Sequence, residues 1–165
     1  MRKVHTKIDM NKIYLIALSL LFISCSVKEY DNTQAKVVII KSPKIKFADL
    51  GYVRNSDKSI ELELFIAGKV IEKITINHLI CTSSGCMSKS GFNEDYLSSS
   101  YPDELLQNII LGREILEGKN RVELSDGFEQ KIISWHVDIT YKVSPHAMIF
   151  KDIKNNIIFK IKDTK

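Results

Sequence analysis

Beyond residue 36 the hydrophobic positions recur with a period of two, the mark of strands that bury one face and wet the other. Ile60, Leu62, Leu64 and Ile66 share one side of such a strand, and Glu61 and Glu63 occupy the other. Ala67-Gly68-Lys69 predicts a turn, with residues 70–80 returning as the partner strand. Ahead of them Val37-Val38-Ile39-Ile40 is a continuous β-branched run, and Ile45 and Phe47 alternate with Lys44 and Lys46. Later, residues 128–134 and 135–143 predict another pair, with Val137, Ile139, Tyr141 and Val143 on one face. Ser144-Pro145 breaks that run. Residues 147–150, a turn over 152–156 and Ile157-Ile158-Phe159-Lys160-Ile161 predict a terminal hairpin.

A helical stretch interrupts the strands. Phe92 to Leu97 reads as a short helical turn, and Pro102-Asp103-Glu104 opens a better helix, since proline suits the first turn and acids favour the positive end of the dipole. Leu105, Leu106, Ile109 and Ile110 form its apolar stripe, and Gly112 stops it. The expectation is an α+β fold: a curved, half-barrel-like antiparallel sheet of about seven strands with a short helical insertion. It forms a single domain over residues 36–165, and the polar stretch 25–35 is expected as a flexible tether.

The first 24 residues follow different rules. Arg2, Lys3, Lys7 and Lys12 precede an uncharged run from Ile13 to Ile23, and Ser24-Cys25 follows at once. A basic start, a short apolar stretch and a small residue before the cut make a secretory signal. The run is short of the ~20 residues a bilayer-spanning helix requires. Translation from Met10 in place of Met1 would leave a compact signal, and the sequence leaves both starts open. Phe22-Ile23-Ser24-Cys25 resembles a bacterial lipobox, which implies acylation of Cys25 and an N-terminal lipid anchor. In the enterobacterial sorting scheme that this resembles, an aspartate after the cysteine favours inner-membrane retention, so Ser26 implies the outer membrane, with the domain facing the periplasm.

The signal also carries most of the charge. The whole chain has 24 basic and 20 acidic residues, and loss of residues 1–24 leaves 20 and 19. That balance gives no electrostatic reason to expect nucleic acid as a partner. With Cys25 lipidated, Cys81 and Cys86 remain as an even pair in an oxidising compartment, which favours a disulfide. A zinc site built from His78, Cys81 and Cys86 with His146 is the competing arrangement, but no paired-cysteine metal motif supports it. His136 and Asp138 on one strand face are the nearest approach to a catalytic pair, and a wet strand face yields the same pattern. No GxSxG, HExxH, P-loop or GxGxxG motif is present, so neither an enzyme nor a cofactor is expected.

The order of elements carries a resemblance. Tyr101-Pro102-Asp103-Glu104-Leu105-Leu106 runs to Leu111-Gly112-Arg113, then come Ser125-Asp126-Gly127-Phe128, Ile139-Thr140-Tyr141, Ser144-Pro145-His146 and Asn156 to Ile161. This resembles the outer-membrane lipoprotein receptor LolB and its half-barrel relatives, over residues 101–161. The chain departs from them in its shorter length, its cysteine pair and the lack of a clear counterpart to their protruding apolar loop residue. The resemblance implies that a concave apolar face takes acyl chains of lipoproteins delivered by a periplasmic carrier. Candidates for that face are Leu62, Leu64, Val137, Ile139, Tyr141, Ile157 and Phe159; packing under the helix is the alternative role for each. The other expected function is a non-catalytic adaptor that binds another envelope protein through a sheet edge or the 83–101 loop.

Overall fold

The computed structural model describes residues 30–164; the signal, the lipobox and Cys25 lie outside them. Two meanders make up the sheet. The first contains β1 (Asn32–Lys41), β2 (Lys46–Asn55), β3 (Ile60–Ile66), β4 (Lys69–Ile76), β5 (Ile80–Thr82) and β6 (Gly85–Met87). The second contains β7 (Arg121–Leu124), β8 (Gly127–Ile133), β9 (Asp138–Ser144), β10 (Ala147–Asp152) and β11 (Ile157–Asp163). They join where β1 pairs with β11, giving one open antiparallel sheet in the order β6-β5-β4-β3-β2-β1-β11-β10-β9-β8-β7.

The sheet therefore has eleven strands, not about seven. The extra ones lack the apolar alternation that marks a half-buried strand. β7 is a four-residue edge strand with mostly exposed side chains. Residues 70–80 do not run straight but break at Asn77, where its N–H reaches Leu79 O, so β4 and β5 are separate. β1 begins at Asn32, inside the stretch expected as a tether; Asn32, Thr33 and Gln34 sit opposite Asn55, Arg54 and Val53. Ladder hydrogen bonds hold polar residues as well as apolar ones. The strand expected from Trp135 starts instead at Asp138, because a bond from Ser134 N–H to Val137 O closes a turn there.

β6 and β7 are the two edges of the sheet yet successive in sequence, so residues 88–120 must travel from one edge to the other. This strap crosses the apolar face and carries α1 (Lys89–Tyr96) and α2 (Leu105–Leu111). Ser88 caps α1 by accepting from Gly91 N–H at 3.0 Å. Gly112, at φ 63°, ends α2 in the left-handed conformation glycine adopts without a Cβ penalty. Leu105, Leu106, Ile109 and Ile110 are all buried against the sheet. At about 1.5–3 kcal/mol per buried large apolar side chain, those four hold α2 in place by roughly 6–12 kcal/mol. Beneath them an aromatic row links Tyr101, Phe150, Tyr141, Phe128 and Phe159 edge to face, at centroid distances from 5.8 to 6.3 Å.

Candidate functional site

The seven residues assigned to the apolar face do come together. Leu62 and Leu64 project from β3, Ile139 and Tyr141 from β9, Ile157 and Phe159 from β11, and Val137 precedes β9; all belong to one buried cluster. They do not line an open groove. The strap fills the face, and Phe92, Leu105, Leu106 and Ile109 are buried in the same cluster. Each candidate is buried in the core shared with the helices. A groove on the strap itself is lined by Pro102, Leu105 and Leu116 together with Glu104, Asn108, Glu114, Glu117 and Lys119.

Polar residues fasten the strap at two places. The first is Asp152, at the end of β10 and fully buried. Its Oδ2 accepts from Tyr101 Oη and from Asn155 Nδ2, each at 2.7 Å. Its Oδ1 accepts from the backbone N–H groups of Asp138 at 3.1 Å, Lys154 at 3.0 Å and Asn155 at 3.3 Å. Burial alone would raise this carboxyl, but the donors from Asn155, Tyr101 and the backbone outweigh it and hold Asp152 below the usual range. Burial, then the bond to Asp152, push the Tyr101 phenol well above its ordinary value. Asn93 completes this end by donating to Tyr101 O and Pro102 O at 3.2 and 3.0 Å.

The second fastening is Gln130 on β8, also fully buried. Its Nε2 donates to Ile115 O at 2.9 Å and Lys119 O at 2.8 Å, and its Oε1 accepts from Ile115 N–H at 2.9 Å. The backbone it grips is unusual: Leu116, Glu117 and Gly118 have φ of 48°, 58° and 73°. Left-handed backbone disfavours the two non-glycine residues by roughly 1–2 kcal/mol each, so three amide bonds at this point offset a real cost. Tyr141 adds a longer bond from its hydroxyl to Asn108 O in α2, at 3.3 Å.

The outward face of β2–β4 holds a closed ion-pair cluster. Arg54 bonds Glu61 at 2.8 Å and also Glu63, while Lys73 reaches them at 2.8 and 3.4 Å. Tyr30 covers it, donating to Glu61 at 2.6 Å, and burial beside that carboxylate pushes the phenol up to about 12. Glu61, only 2% exposed, is held below its ordinary value because Lys73, Tyr30 and Arg54 overcome the cost of burial.

Cys81 and Cys86 face each other across the β5–β6 hairpin and form a disulfide. His78 is exposed, and His146 pairs with Asp163 at 2.9 Å. No group of metal-ligating side chains is found among the described residues. His136 lies in the exposed loop ahead of β9, not on a strand beside Asp138. Phe128 and Phe150 could have been added to the face from alternation alone. Tyr101, Gln130 and Asp152 could not, because a polar residue in the core gives no periodic signal. No family model matches the chain, and no curated protein matches it in sequence.

Proposed function

We propose that the protein receives acyl chains of lipoproteins between the apolar sheet face and the strap, as a LolB-like receptor held at the outer membrane by lipid on Cys25. The observation that carries this reading is topological. One segment, joining the two edges of an open sheet, covers a large apolar face, and buried polar contacts fasten it on either side of α2. Lifting α2 would open space beside Tyr141, which is bonded to it, in the cluster that also holds Leu62, Leu64, Ile139, Ile157 and Phe159. An acyl chain of about 14 methylenes gains roughly 11 kcal/mol on leaving water at ~0.8 kcal/mol each, which is close to what uncovering α2 costs. Near-balance suits handover, since the ligand replaces the helix without being trapped. No cofactor or catalysis is required.

The test is a titration of a fluorescent triacylated lipopeptide into the chain from Ser26 onward, followed by native mass spectrometry. Saturable binding is expected, with bound lipid in the spectrum. Tyr101→Phe removes a bond to a buried carboxylate, so it should lower stability by about 1.5–3 kcal/mol and yet tighten acyl binding several-fold. A residue that served the fold alone would show only the loss of stability. No binding by either protein, with a clean apo mass, overturns the receptor reading and leaves an adaptor for another envelope protein.

A further inference from the structure

The outward face of the second meander, continued through β1 to β2, bears a charge pattern unlike the rest of the molecule. Register places Lys131, Thr140, Lys151, Ile158, Lys41 and Lys46 in one row across six strands. The next row holds Glu129, Lys142, Ile149, Lys160, Ile39 and Ala48. Glu129 and Asp138 are the acids at outward positions on these strands; Glu129 is 3.7 Å from Lys131. Among the described residues, Lys41, Lys46, Lys142, Lys151 and Lys160 make no ion pair. Lys41 stands directly opposite Lys46, an arrangement that destabilises a sheet unless an external anion answers it.

An apolar tip rims this face. Trp135 is 90% exposed, Ile133 77% and Ile153 58%. The tip is held out by structure: Ile153 N–H bonds Asp138 O at 2.9 Å, Lys154 Nζ bonds Ser134 O at 3.1 Å, and Asn155 Nδ2 bonds His136 O at 2.9 Å. Ile133 lies two residues beyond Lys131 on the same side of β8.

We propose that this face docks on an anionic phospholipid bilayer, with Trp135, Ile133 and Ile153 inserted among the headgroups. Lysine rows with an aromatic and aliphatic rim match such a surface on both counts, since lysines are drawn to anionic lipid and tryptophan settles at the interface. An apolar protein partner would cover the tip and leave the lysines unanswered. A nucleic acid would answer the lysines and leave the tip in water. Tyr30 is bonded to the outward Glu61, so the chain enters on the outward face of the sheet, at the end of β1 away from the tip.

Trp135 is the chain's single tryptophan, so its emission reports the tip directly. The full chain is reconstituted into vesicles of phosphatidylcholine alone or with added phosphatidylglycerol. Expected are a blue shift, protection from acrylamide and quenching by brominated lipid, in the anionic vesicles and reversed by salt. Lys131→Gln/Lys151→Gln/Lys160→Gln should lower the docked fraction relative to the free by on the order of a hundredfold, at about fivefold per lysine. Ile133→Ser/Ile153→Ser should weaken brominated-lipid quenching while leaving the salt dependence in place. Trp135 emission that stays water-like and open to acrylamide on anionic vesicles overturns the proposal. So does an equal shift on neutral vesicles, or one that follows protein concentration without lipid.

Discussion

The outward surfaces of the two ends of the sheet start from the same alternation and finish in opposite electrostatic states. On β2–β4 the cations Arg54 and Lys73 interleave with Glu61 and Glu63, and Tyr30 closes the cluster. From β8 through β11 to β1, lysines recur across the strands with Thr140, Ile149 and Ile158 between them, and Lys41 faces Lys46. Charges that answer one another across a ladder serve the fold. Charges that do not are held at some cost, and their natural counter-ion lies outside the chain.

The largest expected effect falls in the paired region. Glu61→Ala leaves Arg54 and Lys73 facing each other beside the remaining Glu63, and should cost about 2–4 kcal/mol in urea unfolding. Lys160→Ala, on the lysine rows, should stay within about 0.5 kcal/mol of the parent. Equal losses at both positions would break the comparison.

Acid sharpens it. Glu61 is held below its ordinary 4.5, so the stability it contributes is complete above that value and drains away as pH falls through the lower folded value. Unfolding free energies measured from pH 7 down to 3 should therefore fall less steeply in Glu61→Gln. Lys160→Gln should keep the parental slope. Asp152, also depressed, adds to the same acid loss in both proteins.

The smallest effect is a gain. Lys46→Glu turns a like pair opposite Lys41 into an attractive one, and should stabilise by about 0.2–1 kcal/mol in low salt. Thermal melts at low and high ionic strength should show the gain fading as salt screens it. A loss of stability would mean that the lysine rows are already satisfied within the fold.

Much of the architecture was legible along the chain. The alternation at Ile60, Leu62 and Leu64, the stripe of α2 with Gly112 behind it, and the Cys81–Cys86 disulfide all rest on local geometry. What escaped was held by long-range backbone pairing. Asn32 to Gln34 are strand because β2 lies beside them, and the exposed residues of β7 are strand because β8 does. The apolar face was found residue by residue, but its covering was not, because the sequence does not say that β6 and β7 end on opposite edges.

The sequence by itself determined most of which residues are inward and which outward, since that follows from a period of two; the bulge after Leu64 ends the alternation and leaves Ile66, expected on the buried face, half exposed. It set the near-neutral balance of the chain after residue 24 and the stop of α2 at Gly112, whereas α1 begins at Lys89 behind its Ser88 cap, ahead of the expected Phe92, and α2 begins at Leu105, past the expected Pro102. Only the tertiary structure decided where the charges gather. Lys41, Lys131, Lys142, Lys151 and Lys160 are scattered over some 120 positions, and strand order and register bring them onto one face. The same pairing set Tyr101 against Asp152, 51 residues apart, and so fastened the strap over the face that the alternation had marked. Periodicity is a local property of the chain; adjacency across a sheet depends on its topology.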